Sequence, residues 1–171
     1  DKYHPCQGLA DVMGWAEWLG KGPGHPPDPT VLKGKKLLVT WGHGALARSW
    51  CSVQEALLIG SRFGMDVVLA HPEGYDLDPQ VIRWTQENCA ANGRTFTETT
   101  DVRAGYEGAH VVYSRHWMSP HAYRDGEFHK QEEIDRAPEV SAVDLRCREN
   151  GFDRQRHFHP PHAHRPGPRG D

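Results

Sequence analysis

The sequence predicts an α/β domain built on a doubly wound parallel sheet, and three observations predict it. Four short apolar, β-prone runs, at residues 37–40, 67–70, 95–98 and 110–113, alternate with stretches of helical periodicity. The runs are nearly continuous in apolar character, as strands covered on both faces are. The helical stretches between them are long enough to serve as right-handed crossovers.

The elements follow in order. Between residues 5 and 19, Leu9, Val12, Met13, Ala16 and Leu19 recur at three and four, and Pro5 suits a first helical turn because its missing N–H has no partner there. Residues 22–29, Gly-Pro-Gly-His-Pro-Pro-Asp-Pro, can form neither helix nor sheet interior and read as a stiff loop. The first strand, 37–40, follows a basic lead-in. A helix is expected over 45–63 from Leu46, Val53, Ala56, Leu57 and Ile59, with Gly64 ending it. After the second strand, Asp78-Pro79 pairs a cap with a first-turn proline, opening a helix to about Ala91 that stops at Asn92-Gly93. The third strand is 95–98, Asp101 starts a short helical turn, and 110–113 is the fourth strand. Beyond Ala137 the period is lost. Residues 138–171 are rich in Arg, His, Pro and Gly and cannot bury enough apolar area to offset ordering entropy, so a disordered tail is expected.

Composition excludes several classes. With 171 residues there is room for one domain with a real core. The formal charge of -3 gives no basic field for nucleic acid or a membrane surface. No apolar run approaches the roughly 20 residues that span a bilayer. The opening Asp1-Lys2-Tyr3-His4 has neither an initiator Met nor a signal peptide, and reads as the start of a fragment. Cys6, Cys51, Cys89 and Cys147 show no CxxC spacing, so reduced thiols in a cytoplasmic protein are expected.

Sheets of this class bind ligands at the carboxyl ends of their strands. The first strand ends in Trp41-Gly42-His43-Gly44, and Gly42, Gly44 and Ala47 fit G-x-G-x-x-A. A nicotinamide site and a tight turn that needs small residues both explain these glycines. The acid expected at the end of the second strand is absent, since that stretch reads Ala70-His71-Pro72-Glu73. The fourth strand runs into Arg115, His116, Trp117, Met118 and Ser119. Such a cluster is costly to bury; it is either a solvated loop or a site for an anionic or polar small molecule. At the mouth of the first helix, His4 and Gln7 lie one turn apart beside unpaired N–H groups and the positive end of the helix dipole.

Together these features resemble the aspartate/ornithine carbamoyltransferase family. Its HPxQ signature is matched by His4-Pro5-Cys6-Gln7, followed by Gly8-Leu9-Ala10-Asp11. Residues 32–36, 63–75 and 108–114 resemble the start of the family's second domain, its second strand with exit loop, and the strand leading to the acceptor loop. The likeness runs unbroken from residue 1 to about 137. The Pro-rich loop and Arg115-His116-Trp117 point to the knotted branch, which contains the acetylornithine and succinylornithine enzymes and the YgeW-type members.

The resemblance implies a Rossmann-like acceptor-binding domain at 32–137, preceded at 1–31 by a linker helix and loop from the carbamoyl-phosphate domain. It implies that His4 and Gln7 are catalytic and contact carbamoyl phosphate. His43, Arg115, His116, Trp117, Met118 and Ser119 would then contact an amino-acid-like acceptor. The family's ornithine enzymes carry an Asp and Ser-Met-Gly at the acceptor loop. Arg115 in place of the acid favours an acceptor with an extra carboxylate. The parent would be a homotrimer needing no cofactor and no metal.

Two departures qualify this. The family's Ser-x-Arg-Thr-Arg phosphate loop is not in the chain, so the chain alone is expected to be inactive, and a non-catalytic binding module is the alternative. The family's closing loop is also missing. Codons for residues 154–165 read one base out of step restore it, so 138–171 is expected to be a frameshift product beginning between Ala137 and Val143. The same reading makes any metal affinity of His157, His159, His162 and His164 incidental.

Overall fold

A computed structural model describes residues 2–42 and 48–136. The expected strands and helices are present in the expected order. Helix α1 spans Pro5–Leu19, strand β1 Lys36–Trp41, helix α2 Cys51–Arg62, β2 Asp66–Ala70, α3 Pro79–Ala91, β3 Phe96–Thr99, α4 Val102–Tyr106 and β4 Val111–Arg115. The strands form one parallel sheet in the order β3-β2-β1-β4. That order is the first half of a doubly wound sheet, whose direction reverses on the far side of β1.

Local chemistry sets the boundaries. Asp78 accepts the Gln80 N–H at 2.8 Å and caps α3, and Asp101 accepts from both Arg103 and Ala104 to cap α4. Gly64 and Gly93 close α2 and α3 with φ of 74° and 63°, a conformation that side chains with a Cβ rarely adopt. After β4 the chain makes a 3₁₀ turn at Pro120–Ala122 and a small hairpin of β5 (Tyr123–Arg124) and β6 (Glu127–Phe128). Asp125-Gly126 joins them with both residues at positive φ, as a two-residue hairpin turn requires. Residues 130–136 are helical.

Neighbouring residues of β1 show how the layers sit. A Cβ on Gly60 of α2 would lie 2.5 Å from Leu37, and one on Gly105 of α4 would lie 2.8 Å from Leu38. Successive strand side chains point to opposite faces, so α2 and α4 cover opposite sides of the sheet. Strand β1 is buried along almost its whole length, whereas β4 alternates and leaves Val112 45% exposed. The two-faced burial expected of every strand therefore holds for the central strand and fades toward the edges. Helix α2 is buried on all sides from Cys51 to Ser61, between the sheet, α1 and α3.

One boundary differs from expectation. Helix α2 begins at Cys51, not near Ala45, and residues 48–50 are not helical. An all-round buried helix has no polar face, so its period could not mark its start. His43, Gly44, Ala47 and the tail 138–171 lie outside the described residues, as does Cys147. Among the described residues, no helix is long and apolar enough to cross a membrane.

Candidate functional site

His4 and Gln7 sit at the N-terminus of α1, where Pro5 starts the helix and Gly8 N–H bonds the His4 carbonyl at 3.1 Å. The His4 backbone N–H donates to Glu55 Oε2 on α2 at 3.3 Å. Gly8 is buried, and a Cβ there would meet Glu55 Cγ at 2.7 Å, so the glycine lets α1 reach that carboxylate. The Gln7 side-chain N–H donates to Asp11 Oδ1 at 2.8 Å, one turn on, which fixes the direction of the amide. Asp11 Oδ2 is buried with no hydrogen-bond partner. Burial pushes the Asp11 carboxyl up from its ordinary range, against the opposing pull of Gln7 and His4. The His4 side chain is exposed and can reach a ligand.

The loop after β4 is held from three directions. Trp117 is fully buried; its indole N–H donates to the Tyr75 carbonyl and its own carbonyl accepts from Trp41, both at 2.9 Å. Met118 N–H donates to the Arg48 carbonyl at 3.0 Å, and its carbonyl accepts from the Trp50 indole at 2.6 Å. Both Ser119 donors, the backbone N–H and the hydroxyl, go to the buried carboxylate of Glu133. The residue types of Arg115 to Ser119 make the cluster costly to bury, and the sequence favours a solvated loop or a polar-ligand site over core. The cluster's indole and backbone groups satisfy one another, so Trp117, Met118 and Ser119 all lie inside. Arg115 and His116 are half-buried. The His116 ring lies 5.2 Å from that of Trp41, and Arg115 Nε is buried with no hydrogen-bond partner.

A pocket of about 460 Å³ adjoins both groups in sequence, on the side of the sheet where the β2–α3 loop leaves the end of β2, and its lining includes none of His4, Gln7 and Arg115 to Ser119. Trp50, just before α2, Gln54 of α2, Asp76 and Asp78 of the β2–α3 loop, Lys2 and Pro120 line it. Lys2 is two residues before His4, and Pro120 directly follows Ser119. Gln54 ties the walls together, donating to the Lys2 carbonyl at 2.9 Å and accepting from Asp78 N–H at 3.0 Å. The Lys2 ammonium meets Asp78 at 2.6 Å. That bond holds Asp78 below and Lys2 above their ordinary pKa values.

Neither this pocket nor Glu55 and Glu133 is marked in the sequence, and Asp11 shows there only as the residue that ends the signature at the start of α1. Asp78 was legible only as a helix cap, and Glu55 and Glu133 act across 51 and 14 residues of chain. His43 cannot be placed with the others, since it lies outside the described residues. Gly42 is in close quarters, because a Cβ on it would lie 2.8 Å from Ser114 Oγ. Helix α2 starts nine residues after Gly42, whereas in a pyrophosphate-binding fingerprint the glycine motif itself opens the helix.

Comparison with known proteins gives one family. Residues 36–144, more than half of the chain, match the pattern described as aspartate/ornithine carbamoyltransferase, Asp/Orn binding domain. The chain is 37% identical over 115 residues to the Escherichia coli (strain K12) protein YgeW, covering 67% of this chain and 27% of that protein. It is 38% identical over 115 residues to an N-acetylornithine carbamoyltransferase of Xylella fastidiosa (strain 9a5c), covering 67% and 32%. A solved structure of an acetylornithine transcarbamylase complexed with acetylcitrulline superposes with a TM-score of 0.65 at 30% identity, covering 85% of this chain and 38% of that one. The chain thus spans about a third or less of the length of these curated relatives.

Proposed function

Because the chain belongs to the aspartate/ornithine carbamoyltransferase family, we propose that it forms the acceptor-binding part of an enzyme that carbamoylates the amine of a small, acylated amino acid. Residues 32–137 are the acceptor domain in this reading, and 1–31 link it to a carbamoyl-phosphate domain in a homotrimeric parent. The observation that carries the reading is the pocket by the β2–α3 loop, flanked in sequence by the His4–Gln7 turn and the Arg115–Ser119 loop.

The chemistry is addition followed by loss of phosphate. The acceptor amine attacks the carbonyl carbon of carbamoyl phosphate and a C–N bond forms. The C–O bond to phosphate then breaks, phosphate leaves with the electron pair, and the amine gives up a proton. His4 donates to the carbonyl oxygen as negative charge grows there, with the positive end of the α1 dipole beside it. Gln7, aimed by Asp11, holds the carbamoyl amide, so that positioning supplies much of the rate. Arg115 supports an acceptor with an extra carboxylate, since its buried Nε has no acceptor of its own. On its own the chain binds ligands and does not turn them over.

Calorimetric titration with N-succinyl-L-ornithine and L-ornithine tests the acceptor class. The succinyl compound should bind more tightly, and Arg115→Gln should weaken it about tenfold or more, as loss of a charged hydrogen bond does. Equal binding of the two, or an Arg115→Gln chain that binds like the parent, would overturn the assignment.

A further inference from the structure

A second group of side chains, with no part in carbamoyl transfer, meets the pocket at Asp76. His71 leaves the end of β2, Asp76 lies in the following loop, and Glu98 is carried by β3. The parallel register sets Leu69 against Glu98 and Ala70 against Thr99, and His71 N–H bonds the Thr99 carbonyl at 3.1 Å. One ligand atom from each of His71, Asp76 and Glu98 lies within 4.8 Å of the others. His71 is only 4% exposed, with its ring against Trp117 at 6.4 Å. Asp76 and Glu98 are exposed and free to adjust.

The imidazole makes the arrangement specific. His71 Nδ1 lies 2.8 Å from the Pro72 carbonyl, which can only accept, so Nδ1 carries the hydrogen. That leaves Nε2 facing Glu98 Oε1 at 2.9 Å. Two acceptors face each other there unless a cation lies between them. A proton on Nε2 meets the need; so does a metal ion. The Nδ1–H bond to a backbone carbonyl is the support that metal-binding histidines ordinarily have, fixing the ring and aiming the Nε2 lone pair. One nitrogen and two carboxylate oxygens, with a fourth position open toward solvent, is a donor set of the kind zinc takes.

We propose that His71, Asp76 and Glu98 bind a divalent transition-metal ion such as Zn2+ at the rim of the pocket. Asp76 belongs to both the metal group and the pocket wall, so the group adjoins the ligand space. The proton on Nε2 leaves to solvent as the metal enters. The site stands independently of the carbamoyl reading, and its test involves neither substrate.

The tail histidines would contribute their own affinity. The parent for the test is therefore the full chain with His157, His159, His162 and His164 all replaced by Asn. Zn2+ is titrated into it in competition with a chromophoric chelator, and Co2+ is followed by its visible absorption. One Zn2+ per chain is expected, weakened about tenfold or more by Glu98→Gln and by Asp76→Asn. Both variants keep an oxygen acceptor in place, and circular dichroism checks their fold. Absence of stoichiometric binding, or an affinity that neither variant moves, would overturn the proposal and leave His71–Glu98 as an ion pair.

Discussion

Replacing Trp117 with Phe separates two roles for the loop after β4, packing and display. The structure gives Trp117 no exposure, and its indole N–H is bonded to the Tyr75 carbonyl at 2.9 Å. Phenylalanine keeps a ring but removes the donor, which strands a buried carbonyl at a cost of about 1–3 kcal/mol. The smaller ring also leaves a cavity of a few tens of Å³, adding on the order of 1 kcal/mol at about 24 cal/mol per Å³. The total is about 2–4 kcal/mol, a large share of the 5–15 kcal/mol that holds an ordinary domain together. Urea unfolding should show the midpoint lowered by about 1–2 M with an unchanged slope, for a slope near 2 kcal/mol per M. Trp18, 75% exposed, is the control: Trp18→Phe should stay within about 0.5 kcal/mol of the parent. If Trp117→Phe were as mild as Trp18→Phe, the indole would not be part of the core, and the reasoning that the loop is latched by burial would fail.

Two further outcomes follow from titrating groups. Burial raises the Asp11 carboxyl above its unfolded value, so the native state favours the protonated form. Below the unfolded pKa both states are protonated and nothing is lost; as pH rises through the native pKa, the penalty on the ionised form becomes complete. Asp11→Asn, which can still accept from Gln7, should therefore raise the melting temperature relative to the parent at pH 7 and leave it unchanged at pH 3. A variant that gains nothing at pH 7 would contradict this. The Cys89 thiol is 1% exposed and pushed up to about 11 by burial. Peptide mapping after brief alkylation at pH 8 should find exposed Cys6 modified and Cys89 untouched until urea is added; equal rates would count against the core assignment.

The sheet was legible because its signals are local. Asp78-Pro79, Asn92-Gly93 and Asp101 mark helix ends through bonds that span two or three residues, and α3 and α4 begin where those signals place them. The start of α2 was illegible for the opposite reason, since burial on every side erases periodicity. The site divided in the same way. His4 and Gln7 share one turn and could be read together, but Asp11's orphaned oxygen and Glu55 beneath Gly8 exist only once α1 lies on α2. Register pairing alone brings Glu98 to His71. The tail histidines, close together in sequence, drew the metal question there, while a group that converges among the described residues is spread over residues 71 to 98.

Whether the His4–Gln7 turn contacts carbamoyl phosphate is tested by calorimetric titration of the full chain with carbamoyl phosphate and with NAD. Carbamoyl phosphate should bind saturably, His4→Ala should abolish that binding, and NAD should not bind saturably. Tight NAD binding with no response to carbamoyl phosphate would contradict that contact.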